Sequence, residues 1–449
     1  MQDILSYWDL IMTPLAIVFV LVASSLTHRN DIKHNPLYKY YMWGLAARIV
    51  GALALCLVYV FYYGGGDTIN YYLTSKSLLG LLGKETSVFF DILMGDTRIE
   101  NFSYFDQSTG FPIFWFDQNA FSVVRFITPI CLLAGKSYLA TSILLGWVCY
   151  SGMWRMYLLF AEQFPKIKGE LAFAVLFAPS VVFWGSGILK DTITISCVGW
   201  YSYGVYRYFI QKNYRNMRYL MAILVAGYLL VAIKPYILFA LLPGSVIWLS
   251  YARLTSIRNK VFMIVALPVM GFLAVFGGFF LLTQLDQYLG VYSINKVIDQ
   301  AVVVQTDMKQ EYYQGNTFDI GKIDPTIGGI LSKAHLAIAA TLFRPYLWDV
   351  RNVVMLISAF ENTYILGLTL FLLFRLKFFG FFALIGKHPL LLFSILFSLF
   401  FAFSVGISIS NFGALVRLKI PCIPYYLSSL FILKYLYSMP KKAPISKRA

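Results

Sequence analysis

The sequence is poor in charge: Asp, Glu, Lys and Arg make up only 13% of its 449 residues. A soluble domain carries about 25%, so a water-facing surface over the whole chain is ruled out. Acidic residues are the scarcer class, 21 against 37 basic, and the net charge is +16. Cysteine is sparse too. Cys56, Cys131, Cys149, Cys197 and Cys422 all sit in apolar runs and form no CxxC pair, which argues against a disulfide framework or a zinc site. The histidines, His28, His34, His335 and His388, have no metal-ligand spacing. No P-loop, GxGxxG turn, HExxH or nucleophile elbow occurs, so nothing points to cytosolic nucleotide hydrolysis. No metal and no other cofactor is expected.

What is present is apolar. Hydrophobic residues make up 59% of the chain and aromatic residues 18%. Mean hydropathy is +0.69. Runs such as 261–283 and 389–408 are near the roughly 20 residues a helix needs to cross a bilayer. Backbone groups in lipid must be bonded internally, so such runs read as helices. The alternating segments of about ten residues that mark a membrane β-barrel are missing. The first run lacks a basic leader and a small-residue cleavage site, and is expected to be a permanent span. In such a chain the positive charge reads as a bias of Lys and Arg towards inner loops, and no nucleic-acid partner is expected.

Reading the basic loops in order sets an orientation. Arg29, Lys33 and Lys39 follow the first run; Arg207, Lys212, Arg215 and Arg218 lie between later runs; Lys441, Lys442, Lys447 and Arg448 end the chain. The expected fold is all-α: a polytopic transmembrane bundle of about eleven spans, with the N-terminus periplasmic and the C-terminus cytoplasmic. It forms one integral membrane domain over residues 1–449, with long outer loops at 64–120 and 284–352. The stretches 72–94 and 330–343 are expected to lie along the membrane surface. Segment 121–133, which contains Arg125, is expected to be re-entrant or interfacial and not to cross.

This orientation gathers a set of polar residues on the outer side. Outer cations at span ends run against the usual bias and suggest an anion site, because charge at membrane depth is costly. In Gly64-Gly65-Gly66-Asp67-Thr68-Ile69-Asn70-Tyr71-Tyr72, glycines allow close backbone approach and Asp67 is a candidate base, with Asn70 and Tyr71 beside it. The plainer alternative is a glycine helix end followed by a capping aspartate. In Pro179 to Asp191, Lys190 is a candidate phosphate contact beside Asp191; the alternative is a snorkelling lysine with a capping acid. Lys234 sits at another outer span end. In Phe343-Arg344-Pro345-Tyr346-Leu347-Trp348-Asp349-Val350-Arg351-Asn352, Arg344 and Arg351 suit bidentate phosphate binding, and Trp348 suits a sugar face. An ordinary aromatic-basic interface belt is the alternative. Glu361 lies inside the next span, with Arg344 or Arg351 as its expected partner. Asn411, Arg417 and Lys419 close the outer set, in Asn411 to Pro421.

The run GGGDTINYY after the second span resembles the GtDxxxYY-type motif of bacterial exopolysaccharide and O-antigen polymerases. PSVVFWGSGILKD, FRPYLWDVRN and NFGALVRLKIP look like recurring motifs of polymerase-like membrane proteins from glycan clusters. The resemblance spans nearly the whole chain through short motifs. It implies membership of the wider GT-C-type glycosyltransferase group. That group acts on the outer face of the membrane with polyprenyl-linked donors. A full paired-arginine loop pattern is absent, and an acidic residue in the first outer loop also occurs in mannosyltransferase-like enzymes. Polymerase and single-sugar transferase therefore both stay open.

The resulting expectation is a glycan-transferring enzyme of the bacterial inner membrane, acting on an undecaprenyl-linked glycan beside other polysaccharide-assembly proteins and membrane lipids. Asp67, Arg344 and Arg351 are the catalytic candidates. Asn70, Tyr71, Lys190, Asp191, Lys234, Trp348, Glu361, Asn411 and Arg417 are the candidates for substrate binding. A flippase for a lipid-linked glycan, or a non-catalytic subunit of an envelope assembly machine, are the rival readings.

Overall fold

The computed structural model describes residues 4–255, 317–321 and 326–439. The expected span at 261–283, most of the polar 307–327 stretch and the basic tail lie outside the described residues. The described chain is almost wholly helical, with one isolated β-bridge between Thr317 and Asn411. The main helices are α1 (Tyr7–Thr27), α2 (Tyr41–Leu57), α3 (Asp67–Leu81), α4 (Thr86–Met94), α5 (Gln118–Leu133), α6 (Tyr138–Ala161), α7 (Pro179–Trp184) and α8 (Lys190–Val205). They continue as α9 (Met217–Ile233), α10 (Pro235–Thr255), α11 (Ala334–Phe343), α12 (Val353–Lys387), α13 (Pro389–Ser408), α14 (Phe412–Leu418) and α15 (Ile423–Ser438).

Among the described residues, five segments are long and apolar enough to cross a membrane: α1, the stretch Pro36–Tyr62 that contains α2, α6, α12 and α13. The pair α14 and α15, bent by 66°, would make a sixth if it counts as one span. That set fits a multi-span membrane protein; it does not reach about eleven among the described residues, and the expected span at 261–283 lies outside them. Within the described residues, several expected spans are short or interrupted. The apolar parts of two expected spans, Met217–Ile233 in α9 and Pro235–Tyr251 in α10, are short. Helix α8 carries Thr192, Thr194, Ser196 and Ser202 among its apolar residues. The segment leading into α7 is interrupted at Ala178-Pro179, where Pro179 starts a new helix.

Contacts between neighbours fix the directions of the helices. Asp9, buried in the first turn of α1, accepts hydrogen bonds from Ser137 Oγ (2.6 Å) and Leu139 N–H (3.2 Å), so α1 and α6 start together. Helix α2 runs the other way: Tyr150 of α6 donates to Tyr41 O at its start (2.7 Å), and Thr68, past its end, pairs with Tyr138 Oη (2.8 Å). Helix α8 runs with α6, and their backbones touch at glycines. A Cβ on Gly199 would stand 2.0 Å from Gly152 O, and one on Gly152 would stand 2.1 Å from Ser196 O. Small residues permit that approach where no hydrophobic force drives helices together. Helix α9 returns antiparallel, bringing Lys234 to Asp191. Helices α10 and α13 pack antiparallel through Tyr236 on Phe401 and Trp248 on Phe393, with ring centroids 5.9 and 4.8 Å apart.

The bundle therefore has two distinct ends. One carries Asp9, Asp67, Tyr138, Lys190 and Lys234. The other carries the turns after α1, α6 and α8, with Arg29, Lys33, Lys166, Lys168, Arg207, Lys212 and Arg215. Helix α5 does not run between the ends. Asn119, in its first turn, donates to Ala232 O near Lys234 (2.9 Å), and Trp8 donates to Gly135 O just past its last turn (2.8 Å). Both anchors belong to the Asp67 end, so α5 lies across that end. Two other stretches differ from expectation. Segment 72–94 is two helices, and α3 is buried on most sides against α5. Helix α11 dips into the bundle against α13 instead of lying along a surface. Thr341 Oγ1 donates to Ala402 O (2.8 Å), and Gly406 has no room for a side chain, since its Cβ would stand 2.2 Å from Ala337 O. The small residues Ala337, Ala340 and Thr341 make that fit.

Candidate functional site

Four distant elements place one ion cluster at the Asp67 end. Asp67 opens α3, Asp191 lies in the first turn of α8, Lys234 joins α9 to α10, and Arg417 lies in the last turn of α14. Arg417 Nε donates to Asp191 Oδ2 at 2.7 Å and Arg417 Nη1 to Asp67 Oδ2 at 2.7 Å. Lys234 Nζ donates to Asp191 Oδ1, so both oxygens of Asp191 are taken. Lys190 adjoins through its sequence neighbour and donates to Asp117 Oδ2 at 3.4 Å.

Local sequence explains these positions. Gly64 and Gly66 adopt φ of +66° and +113°, a region glycine enters freely, and so turn the chain out of the second span into α3. Both carboxylates then stand in the first turn of a helix, where the backbone dipole favours negative charge. Arg417 stands in a last turn, where it favours positive charge. Asp117 caps α5 by accepting from Ala120 N–H (2.9 Å) with its other oxygen.

Exposure grades across the cluster. The side chain of Asp191 is 0% exposed and Lys234 7%; Arg417 and Lys190 are 17% and 20%; Asp67 and Asp117 reach 41% and 51%. The site thus has a closed floor and an open rim. Three carboxylates face three cations. Removing one partner of a buried pair strands a charge, whereas a rim pair exchanges with solvent at little cost. Tyr59 and Tyr71 lie within electrostatic range of Asp67, Asp191 and Arg417. Tyr71 stacks on Phe114 with centroids 4.6 Å apart, and half-buried Asn70 precedes it. This arrangement can hold an anion on Arg417 and Lys190 and offers a carboxylate, Asp67, at the same mouth.

The other expected residues form a second group. Arg344 is not free: Nε and Nη2 bond both oxygens of Asp349 at 3.1 and 3.2 Å, and the guanidinium lies 5.4 to 5.7 Å from the ring centres of Phe318, Tyr346 and Phe412. Glu361 pairs with neither arginine. It accepts from Ser180 N–H (2.8 Å) and Ser180 Oγ (2.6 Å), a carboxylate at the start of α7. Asn411 caps α14 by accepting from Ala414 N–H (3.1 Å). Trp348 is 78% exposed and stacks on Tyr346; Arg351 is exposed. Among the described residues, neither touches Asp67, Asp191 or Arg417.

Three partners escaped the sequence reading. Asp117 carried a signal, an acidic residue just before an apolar helix. Asn362 accepts from Lys419 inside α12 and has no signal beyond being polar in an apolar run. Arg48 had the strongest signal, a lone arginine within the second span. It is buried, and its Nη1 donates to Val181 O (3.1 Å), Gly185 O (2.5 Å) and Ser186 Oγ (3.2 Å). The negative end of α7 thus takes the place of a counter-ion.

No protein-family model matches the chain, and no curated protein and no solved structure matches it either.

Proposed function

We propose that the chain is a glycan-transferring enzyme of the bacterial inner membrane that uses a polyprenyl phosphate- or diphosphate-linked donor. This joins the motif resemblance to the chemistry of the site. The carrying observation is the convergence of Asp67, Lys190 and Arg417 at the end of the bundle opposite the basic loops. Under the bias of basic loops towards the cytoplasm, that end is periplasmic. The finer topology of about eleven spans, with the N-terminus outside and the C-terminus inside, belongs to the same proposal.

In the proposed reaction the acceptor hydroxyl gives its proton to Asp67 as its oxygen bonds to the anomeric carbon. The bond from that carbon to the phosphate oxygen breaks, and its electron pair leaves on the lipid phosphate. Arg417 and Lys190 neutralise the charge that develops there. Tyr71 and Asn70 line the sugar side. Lys234 and Asp191 hold Arg417 in place from below. Arg344 acts at one remove, by fixing the loop that carries Trp348 and Arg351.

The test is the lipid-linked glycan pool of a strain lacking the gene. Single repeat units accumulating on lipid are expected of a polymerase, and an unchanged pool with normal surface polysaccharide would sink the reading. A second reading, transport of a lipid-linked glycan, draws on the broken helices: the 66° bend between α14 and α15, and the break at Ala178-Pro179. Discontinuous helices at membrane depth are common at transport sites. Purified protein that moves labelled lipid across a vesicle bilayer without forming a glycosidic bond would favour it.

A further inference from the structure

We infer that Asp67 is a displaceable placeholder on Arg417, and that an arriving phosphate oxygen takes over Nη1 and releases the carboxylate into the site. This rests on reading the site as one that handles phosphate, and adds to it a device that couples donor binding to the freeing of the base. Arg417 makes two carboxylate contacts of equal length, 2.7 Å each, but their surroundings differ. Asp191 is wholly enclosed, and its second oxygen is held by Lys234. Removing it would strand Lys234, 7% exposed, and leave Arg417 with Asp67 alone. Asp67 is 41% exposed, and among the described residues it is engaged through Oδ2 alone. Water can solvate it as it leaves. Of the two contacts, the outer one yields.

The geometry fits a phosphate in its place. An arginine presents several N–H groups in one plane, and a phosphate oxygen accepts from them as a carboxylate oxygen does. Asp67 is the first residue of α3, a helix of fifteen residues, so the contact lies near a helix start, where the backbone dipole favours an anion. Lys190 stands at the rim with Asp117, itself 51% exposed, as its only recorded ion-pair partner among the described residues. The cluster is neutral as it stands, with Asp67, Asp117 and Asp191 against Lys190, Lys234 and Arg417. A bare anion entering beside both rim carboxylates would meet repulsion. Exchange at Arg417 avoids leaving a carboxylate and a phosphate on the same guanidinium nitrogen. The chain leading into Asp67 suits such movement: Gly64 and Gly65 have open space around them.

The test uses the full chain in lipid nanodiscs, as wild type, Asp67→Asn and Asp67→Ser, each checked for a monodisperse size-exclusion peak. Binding is titrated with inorganic diphosphate and, separately, with geranylgeranyl diphosphate. The inference expects both variants to bind one or both probes about two- to five-fold tighter than wild type, because a competitor worth a partly exposed ion pair is gone. Tightening for both probes assigns the effect to the phosphate itself; tightening for the lipid probe alone assigns it to a headgroup delivered from the membrane. Equal or weaker binding by well-folded variants, with wild type binding normally, overturns the placeholder and leaves the phosphate reading standing. If wild type and variants bind neither probe, the phosphate reading fails and the placeholder falls with it.

Discussion

Lys419, which caps the C-terminal end of α14, donates a hydrogen bond to the backbone carbonyl of Arg344, which caps the C-terminal end of α11 (2.9 Å). The ammonium thereby meets the carbonyl at the end of α11, while the backbone N–H of Lys419 bonds Leu415 O at the end of α14 (3.1 Å). A second bond from the ammonium goes to Asn362 Oδ1 of α12 (2.6 Å), whose amide in turn donates to Pro345 O (3.1 Å). The carbonyls at a helix end need partners, and a cation there suits the dipole. This clamp joins three elements around the chain that carries Arg417.

Lys419→Met is expected to lower stability by about 3–5 kcal/mol, because it leaves the Arg344 carbonyl and the Asn362 side-chain oxygen unpaired and removes a cation that acts on Glu361. Thermal unfolding in detergent measures it. The double variant Lys419→Met with Glu361→Gln should be less destabilised than the sum of the single changes, since both charges then go together. A Lys419→Met protein as stable as wild type would show that the clamp holds nothing.

Gly199→Ala is expected to destabilise by about 1–3 kcal/mol, because the new methyl would meet the Gly152 carbonyl and force α6 and α8 apart. The neighbouring Gly227 has nothing within 4 Å of its would-be Cβ, so Gly227→Ala should be neutral or slightly stabilising. The comparison uses unfolding midpoints of the two variants. Equal midpoints would remove the close α6–α8 approach as a determinant of stability.

The legible parts of this fold are those governed by one dominant force. Helices α1 and α13 have the bounds that their apolar runs give, with the length of each run prevailing even over Pro14 inside α1. Asp67, Lys190, Asp191, Lys234 and Arg417 stood out as charges at the ends of apolar runs. Their pairing did not, because it joins positions up to 350 apart in sequence. Arg344 shows the opposite limit. Its partner Asp349 lies five residues away, but a turn through Pro345 and Tyr346 was needed to bring the groups together. The dip of α11 was hidden because an Ala-rich apolar helix suits a membrane surface and a crowded interior alike. Arg48 was overlooked because its counter-charge is a helix end and not a side chain.

Orientation is open to a direct chemical test. All five native cysteines are buried, so single cysteines can be added on a cysteine-free background. A cysteine at Lys212 or Arg215 should react only once the membrane is permeabilised, and one at Ser108 or Asp117 should react from the periplasm in intact cells. These positions sit at opposite ends of the bundle. Reaction of the 212–215 pair from outside would invert the protein and put Asp67 on the cytoplasmic face, where the proposed reaction does not belong.

The last prediction concerns the role of Arg344. From sequence alone its planar fork suits a donor phosphate, and a lost contact of that kind costs about 10²–10³ in rate. In the folded chain the fork already bonds both oxygens of Asp349, which also accepts from Tyr346 N–H (2.9 Å). A side chain so held positions its own loop. Arg344→Lys keeps the charge and loses the two-point grip, so it should loosen the segment bearing Trp348 and Arg351. Because the pair is partly exposed, the expected loss of stability is small, about 1 kcal/mol. Asp349→Asn should produce the same loss of stability and of transfer activity, and the double variant should be little worse than either alone, as expected of two residues acting as one unit. The assay is transfer from a synthetic polyprenyl-linked donor, with unfolding followed in parallel. The contrary outcome is specific: Arg344→Lys losing at least about a hundredfold in transfer while Asp349→Asn turns over normally. Arg344 would then act on the donor itself, and its bond to Asp349 would be a resting contact that substrate replaces.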